Sequence, residues 1–345
     1  MSTMASAGSE VSLAAALLRG GKLVAFPTET VYGLGADATN ASASGRIFAV
    51  KGRPTTNPLI VHVADVATAR HYTGAFPRAA ELLAERFWPG PLTLVLPRHP
   101  SICREVTAGR ETVAVRVPDH DLALELLRAF GGPVAAPSAN RSTRVSPTSA
   151  AHVRAELGDA VQLILDGGEC PVGIESTVLD LTTFPKPTLL RPGSVTVAEL
   201  ERVVGPVEVA AGRVVGEGEL APSPGLSELH YAPATPAYRF TREAYPKLLA
   251  RLGDGALDES LPDRSSAEQR GSASVVMLIS KAAIPSPHDV VSMPTTPQAY
   301  ARQLYATMRS LDAGGYAAIY IELPPEMPEW LAVRDRLTRA TRPLP

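Results

Sequence analysis

Short apolar runs alternate with helical patterns through the first 200 residues. Runs rich in Val, Leu, Ile and Ala, bounded by Gly, Pro or Asn, predict strands at 23–27, 59–63, 92–96, 113–117, 134–136, 163–165 and 177–181. Apolar positions at helical spacing predict helices near 11–19, 42–50, 78–87, 121–130, 147–156 and 196–203. Several strand runs are apolar throughout, which is typical of strands covered on both faces. The pattern predicts an α/β fold with a large twisted mixed sheet and flanking helices.

The pattern changes after residue 206. Residues 207–236 contain several Gly and Pro breaks and are interpreted as a linker. Strand and helix patterns then alternate through 237–345, which predicts a smaller α/β domain. Within that domain, the polar, Gly- and Ser-rich stretch 253–272 is predicted to be a mobile loop. The expected organisation is therefore 1–206, a linker over 207–236, and 237–345.

Charge and cysteine content exclude several classes of protein. Lys and Arg number 33 against 35 Asp and Glu, so no overall basic field exists to hold nucleic acid tightly. Two cysteines cannot form a dense disulfide framework or a four-thiolate zinc site. No apolar run reaches the roughly 20 residues of a membrane helix, and the first residues do not resemble a secretion signal. We expect a cytoplasmic enzyme.

Polar residues and glycines directly follow the first predicted strand, over residues 27–35. Open α/β sheets bind ligands at such strand ends, although an ordinary capped turn also explains this segment. Lys51 and Arg53 lie at what is expected to be an exposed helix end. They either stabilise that end or form a clamp for phosphate. His62 lies inside an apolar strand, where a histidine is more often a core residue.

Further polar groups follow later strands, among them Arg116, Ser138, Asn140, Ser146 and Arg191. No glycine-rich phosphate loop of the Walker or dinucleotide-binding type is present, so a nucleotide site has to use side chains. No obvious nucleophile–base pair accompanies these residues. The set favours binding and positioning of a polyanion over covalent catalysis.

Seven motifs resemble, in order, the YrdC-like domain of threonylcarbamoyl-AMP synthases. They are Pro27-Thr-Glu-Thr-Val-Tyr-Gly-Leu-Gly35, Lys51-Gly-Arg53 with Asn57-Pro-Leu-Ile-Val-His62, Trp88-Pro-Gly-Pro-Leu-Thr93, Arg116-Val-Pro118, Pro137-Ser-Ala-Asn140, Gly173-Ile-Glu-Ser-Thr-Val178 and Leu190-Arg-Pro-Gly193. The remainder resembles the two-domain form of the family. In that form a proline-rich linker, here including His230-Tyr-Ala-Pro233, leads to a small Rossmann-like domain. The resemblance predicts that residues 220–233 lie across the active site.

The resemblance implies a nucleotidyltransferase that uses L-threonine, bicarbonate and ATP, releases pyrophosphate and makes L-threonylcarbamoyl-adenylate. A separate transferase complex then uses this product to form N6-threonylcarbamoyladenosine at position 37 of tRNA. Mg²⁺ is expected to accompany the triphosphate, with no metal site built from protein side chains.

The resemblance also implies residue roles. The nucleotide-binding set comprises Lys51, Arg53, Asn57, Thr112, Ser138, Asn140, Ser146, Arg191 and Tyr231, with Lys51 and Arg53 as the catalytic cations. The threonine-binding set comprises Thr30, His62, Arg116 and Ser176, with Arg116 on the substrate carboxylate. For His62 the resemblance favours this role over the core one. Glu29 is interpreted as a hydrogen-bonding partner rather than a base.

The chain departs from the family pattern in three places. Ser227, Glu228 and Leu229 replace two cations and an aromatic residue of the usual linker. Arg141-Ser-Thr-Arg144 adds two positive charges, which either compensate for the linker or belong to a solvated loop. Asp335 stands where the family usually has Asn. These departures leave open a related adenylate-forming enzyme with a different acceptor. A non-catalytic RNA-binding module is a further alternative, because YrdC-like domains are concave and can carry positive surface.

Overall fold

The computed structural model describes residues 2–183, 186–210, 230–253, 273–280, 283–285 and 287–345. The chain divides into two compact units, one of residues 1–142 with 146–228 and one of residues 143–145 with 229–345. The predicted boundaries at 206 and 236 stay predictions. Residues 211–229 of the predicted linker, and the predicted mobile loop beyond Gly253, lie outside the described residues.

The first unit is an α/β structure. Its helices are α1 (Ser2–Arg19), α2 (Ala41–Lys51), α3 (Val66–His71), α4 (Arg78–Phe87), α5 (Asp121–Phe130), α6 (Ala150–Leu157) and α7 (Val197–Val204). Its strands are β1 (Val24–Phe26), β2 (Gly33–Asp37), β3 (Ile60–His62), β4 (Leu92–Pro97), β5 (Thr112–Arg116), β6 (Val134–Ala135), β7 (Leu163–Ile164), β8 (Thr177–Asp180), β9 (Thr188–Arg191) and β10 (Glu208–Val209). All seven predicted strands and all six predicted helices of this region are confirmed.

The strands form one mixed sheet in the order β10-β9-β8-β4-β5-β3-β6-β2-β1-β7. Apolar side chains cover both of its faces, as the uninterrupted apolar runs predicted. In β1 the alternation is visible residue by residue. Ala25 packs in one core cluster with Leu34 and Leu94, whereas Val24 and Phe26 pack in a second cluster. Successive strand residues point to opposite faces, so these two clusters are the two sides of the sheet.

Local sequence signals explain how α2 begins and ends. The Asn40 side chain accepts a hydrogen bond from the Ala43 backbone N–H, which caps the helix. Gly52 then ends α2 in the left-handed conformation, at φ 60°. This turn separates Lys51 from Arg53 and sends the chain toward β3. Because its φ favours glycine, the turn depends on the residue between the two cations.

The second unit contains a parallel sheet. Its strands are β11 (Ala237–Phe240), β12 (Val275–Leu278), β13 (Asp289–Ser292), β14 (Ile319–Glu322) and β15 (Arg342–Pro343), in the order β13-β12-β14-β11-β15. Every pairing in this sheet is parallel. Its helices are α8 (Tyr245–Gly253), α9 (Pro297–Ala313) and α10 (Leu331–Ala340). The predicted fold class, a mixed sheet with flanking helices plus a smaller Rossmann-like domain, is confirmed.

Residues 143–145 belong to the second unit although they interrupt the sequence of the first. The Thr143 carbonyl accepts a hydrogen bond from the Ala232 backbone N–H at 2.8 Å. The Arg144 guanidinium forms an ion pair with Asp312 at 2.8 Å. The added charge of Arg144 is therefore bound to a carboxylate within this unit.

The Asp312 carboxylate forms an ion pair and accepts two backbone hydrogen bonds. Replacing Asp312 by alanine should therefore lower the free energy of unfolding by about 2–3 kcal/mol. Besides Arg144, its carboxylate accepts hydrogen bonds from the backbone N–H groups of Ala234 and Thr235, at 3.0 and 2.7 Å. Burial works to raise the pKa of Asp312, but the hydrogen bonds from Ala234 and Thr235 and the charge of Arg144 together outweigh it and lower the pKa. Denaturant titration of Asp312→Ala beside Glu329→Ala, an exposed carboxylate, measures the difference. Equal stability of the two variants would contradict this role.

Candidate active site

Three of the four predicted threonine-binding residues, Thr30, His62 and Arg116, lie together near the ends of adjacent strands. His62 ends β3 and Arg116 ends β5, and the two are direct partners in the parallel pairing of these strands. Paired residues project from the same face of a sheet. Thr30 comes from the connection between β1 and β2, and the Arg116 Nη1 group donates to its hydroxyl at 2.9 Å. The structure thus joins Thr30 to Arg116 and places His62 beside Arg116.

The Arg116 side chain is buried, at 3% exposure, and each of its three guanidinium nitrogens contacts another residue. Its Nε group donates to the Gly90 carbonyl at 3.1 Å, and Nη1 donates to Thr30. Its Nη2 group pairs with the carboxylate of Glu29, itself 3% exposed. Glu29 thus forms an ion pair with Arg116, and its interpretation as a hydrogen-bonding partner rather than a base stays a prediction. These contacts fix the plane of the guanidinium, as bidentate binding of a carboxylate requires.

His62 is buried and carries no positive charge at neutral pH. Burial, with a smaller effect of the Arg116 charge, lowers the pKa of His62 to about 3. Its ring contacts Phe26 edge-on, with ring centroids 5.9 Å apart. A neutral imidazole is suited to a hydrogen bond with a hydroxyl rather than to pairing with an anion.

The low pKa of His62 predicts loss of stability in acid. Between about pH 6.5 and 3 the unfolded chain binds a proton on this residue and the folded chain does not, so acidification favours unfolding. From pH 6.5 to 4.5 the wild type should lose about 2–3 kcal/mol more than a His62→Gln variant. Denaturant titrations at both pH values measure the two losses. Parallel losses in both proteins would show that His62 does not titrate in this way.

Lys51 and Arg53 are buried, at 2% and 7% exposure, and the prediction of an exposed helix end is wrong. The Lys51 Nζ group donates to the Ser138 carbonyl at 2.5 Å and to the Asn140 carbonyl. The Lys51 carbonyl accepts from the Ser142 backbone N–H at 2.7 Å. The loop after β6 therefore closes over the end of α2. This long-range packing is not visible in the local helix pattern.

Two effects lower the pKa of the Lys51 ammonium, chiefly burial and then the neighbouring charge of Arg53. The two carbonyl oxygens that contact its Nζ carry no formal charge. An anion brought next to this ammonium would stabilise its protonated form. Lys51 is thus a buried cation suited to a phosphate group.

Arg53 organises the segment that follows it. Its Nε group donates to the Asn57 carbonyl at 3.1 Å, and its Nη2 group donates to the Pro58 carbonyl at 3.0 Å. Both bonds run along the chain toward β3, which ends at His62. Arg53 therefore positions Asn57, the next residue of the predicted nucleotide-binding set.

Ser146 and Ser176 have partners that sequence reasoning did not single out. The Ser146 hydroxyl donates to the buried Glu175 carboxylate at 2.6 Å. The Ser176 and Thr93 hydroxyls are 2.7 Å apart, and Arg191 donates to the Ser176 hydroxyl at 3.1 Å. Glu175 and Thr93 both fall inside quoted motifs, Gly173–Val178 and Trp88–Thr93, which was the available signal. Ser176 and Arg191, assigned to different sets, are in direct contact.

Of the predicted nucleotide-binding residues, Thr112 lies away from this cluster and Tyr231 belongs to the second unit. Thr112 begins β5 and lies about 13 Å along the strand from Arg116, at about 3.3 Å per residue. Tyr231 is described within the second unit, at φ 63°, and is 1% exposed. Its ring stacks on Tyr305 at 5.6 Å and lies 5.4 Å from the Arg336 guanidinium. The roles assigned to Thr112 and Tyr231 stay predictions.

The described residues contain neither a cluster of metal-ligating side chains nor a helix that could span a membrane. Among them, no three His, Cys, Asp or Glu side chains come together in a way that would hold a metal ion. In the same part of the chain, every helix is too short or too polar to span a membrane.

Taken together, four buried cations (Lys51, Arg53, Arg116 and Arg191) share the first unit with hydroxyl and amide groups near strand ends. Such a set binds anionic groups and neutralises charge without a covalent intermediate on the protein. Fold and site define an α/β enzyme that acts on anionic substrates by binding and positioning.

Comparisons with known proteins give the family. Residues 16–193 match the Sua5, YciO and YrdC family model, described as telomere recombination, and residues 195–341 match the model described as the C-terminal domain of threonylcarbamoyl-AMP synthase. The chain is 40% identical over 332 residues to the threonylcarbamoyl-AMP synthase of Pyrococcus abyssi, covering 96% of this chain and 94% of that one. It is 42% identical over 340 residues to the Bacillus subtilis enzyme of the same name, covering 96% and 92%.

A solved structure agrees with these sequence matches. The crystal structure of P. abyssi Sua5 complexed with L-threonine aligns with a TM-score of 0.84 at 38% identity, covering 97% of this chain and 96% of that one. The chain therefore belongs to the threonylcarbamoyl-AMP synthase family, in its two-domain form. The predicted family and enzyme class are confirmed.

Proposed function

We propose that this chain forms L-threonylcarbamoyl-AMP from L-threonine, bicarbonate and ATP. The amine of threonine attacks bicarbonate to give a carbamate and water. A carbamate oxygen then attacks the α-phosphorus of ATP, the bond to the β-phosphate oxygen breaks, and pyrophosphate leaves. This transfer depends on alignment and charge neutralisation rather than on a protein nucleophile.

One observation carries the proposal: Arg116 is oriented by Glu29 and Thr30 at a strand end where neutral His62 lies beside it. A fixed guanidinium suits the carboxylate of an amino acid, and neutral polar groups suit the hydroxyl of threonine. The solved relative bound to L-threonine is consistent with this reading. We assign Thr30, His62, Arg116 and Ser176 to the threonine.

The remaining set is assigned to ATP. Lys51 and Arg53, both buried, neutralise the charge that builds up as pyrophosphate leaves. Further contacts to the nucleotide are assigned to Asn57, Thr112, Ser138, Asn140, Ser146, Arg191 and Tyr231. Loss of Lys51 or Arg53 should therefore impair chemistry more than threonine binding.

Mg²⁺ is assigned to the triphosphate. Since the described residues form no cluster of metal-ligating side chains, the phosphate oxygens would supply most of its ligands. Glu175, buried and bound by Ser146, offers a carboxylate of the kind Mg²⁺ accepts. The ion would neutralise phosphate charge when bound.

The product is assigned to tRNA modification. A carbamoyl-adenylate is a mixed anhydride that transfers its acyl group readily, so a second enzyme has to receive it before water does. We propose hand-over to a transferase complex in the cytoplasm, which completes N6-threonylcarbamoyladenosine at position 37 of tRNA.

Product analysis by mass spectrometry tests the proposal. Purified protein is incubated with ATP, Mg²⁺, ¹³C-bicarbonate and either L-threonine or a mixture of amino acids. We expect threonylcarbamoyl-AMP carrying one ¹³C atom, with stoichiometric pyrophosphate. Exclusive incorporation of another amino acid would support the alternative that the altered linker residues raise, an enzyme with a different acceptor. A salt-dependent gel shift with RNA and no adenylate would instead favour an RNA-binding module.

A further inference from the structure

Glu29 has binding capacity that its contact with Arg116 does not use. Its carboxylate is 3% exposed, and Oε2 forms the ion pair. Within the described residues, Oε1 accepts no hydrogen bond. A buried carboxylate oxygen without a donor is costly, and such groups are normally satisfied. A ligand with hydrogen-bond donors would satisfy it.

Arg116 has unused donors next to this oxygen. A guanidinium carries five N–H groups. Hydrogen bonds to Gly90 and Thr30 account for two, on Nε and Nη1, and Nη2 faces Glu29 in the ion pair. At least one N–H on Nη1 and one on Nη2 therefore make no hydrogen bond within the described residues. Two N–H groups on neighbouring nitrogens match the spacing of two carboxylate oxygens.

The charges around Glu29 and Arg116 suit a ligand that carries both a positive and a negative group. Arg116 is positive and Glu29 is negative, while His62 is neutral near pH 7. Asp119 adds a second carboxylate close enough for Glu29 to raise its pKa, after the larger effect of burial. The four groups together carry no excess of positive charge. A simple anion would gain little from this environment, whereas a zwitterion would find both signs.

We propose that Glu29 binds the ammonium group of the substrate amino acid while Arg116 binds its carboxylate. In an α-amino acid a single carbon separates these two groups, and Glu29 and Arg116 are in direct contact. The pair therefore favours α-amino acids as a class over the corresponding hydroxy acids. The inference rests on threonine being the substrate and adds the residue that selects for its amine.

Isothermal titration with two ligands tests this inference. The ligands are L-threonine and the 2,3-dihydroxybutyrate of matching configuration, which has a hydroxyl in place of the amine. Glu29→Gln keeps the shape and an oxygen that accepts from Arg116. It should weaken threonine binding about tenfold or more and change binding of the hydroxy acid less than about twofold. The matched control is Glu125→Gln, an exposed position on α5.

The outcomes separate three roles. Equal weakening for both ligands would overturn the inference, because Glu29 would then act only by orienting Arg116. Undiminished threonine binding would also overturn it and would leave the proposed function intact. Wild-type protein that binds no threonine would overturn the proposed function and this inference together. If Glu29→Gln does not fold, Glu29→Asp keeps the charge but retracts it, and the same threonine-selective loss is expected.

Discussion

Replacing Lys51 by methionine is expected to reduce pyrophosphate release about 100-fold or more. In phosphoryl-type transfer, catalysis comes from charges placed beside the reacting phosphate, and loss of one such group typically costs about 3–4 kcal/mol. Lys51 is buried beside Arg53. Methionine has similar length and no charge, so the change removes the cation and little volume.

The same substitution should also destabilise the fold. The Lys51 Nζ group holds the carbonyls of Ser138 and Asn140, which lose a donor in the variant. Each unsatisfied buried acceptor costs about 1–3 kcal/mol, partly offset because the ammonium is no longer desolvated. We expect a net loss of about 1–3 kcal/mol. This replaces the expectation for an exposed helix end, where such changes cost about 0.5 kcal/mol or less.

Coupled pyrophosphate detection and denaturant titration measure the two effects of Lys51→Met separately. Lys22→Met, on an exposed position, controls for the loss of a lysine. The assignment of the two cations to the nucleotide would be wrong if Lys51→Met and Arg53→Ala both released pyrophosphate at the wild-type rate while folded.

Replacing Arg116 by lysine should raise the KM for threonine about 10–100-fold and the KM for ATP much less. A lysine ammonium cannot present two parallel N–H groups to a carboxylate, and hydrogen bonds to charged groups contribute about 1.5–3 kcal/mol. It also cannot reach Gly90, Thr30 and Glu29 together, as the guanidinium does. The positive charge is retained, so the change tests geometry rather than charge.

Steady-state rates with each substrate varied in turn measure the effect of Arg116→Lys. Arg128→Lys, an exposed position on α5, is the matched control. Similar increases in both KM values would identify Arg116 as a phosphate ligand or a scaffold residue. An unchanged threonine KM would remove Arg116 from the substrate site.

The strands of the large sheet could be predicted where their amino-acid composition is typical of a strand. Apolar runs bounded by turn residues gave β1 and β3–β8. The strand β2 was not predicted, because its sequence, Gly33-Leu-Gly-Ala-Asp37, has two glycines and no β-branched residue. It is a strand because of its place between β1 and β6, where each neighbour supplies hydrogen-bonding partners. Such pairing depends on distant residues and leaves no local signal.

The site was predictable as a list of residues but not as a set of contacts. Motif order identified Thr30, Arg116 and Ser176. The partners of the last two, Glu29 with Arg116 and Thr93 with Ser176, come from the register of strands and from side-chain directions. Lys51 shows the same limit, because its burial is produced by a loop almost 90 residues away in sequence. Composition and spacing cannot report which charges the folded chain encloses.

Residues 143–145 limit how the two units can be exchanged between related genes. The chain leaves the first unit after Ser142 and returns to it at Ser146. No single recombination breakpoint can therefore exchange one whole unit for another. A gene fusion joined after codon 206 would keep the codons of Thr143 and Arg144 but not those of Ala232 and Asp312, which hold them. Successful chimaeras should need the three-codon insert and the downstream gene segment from the same parent.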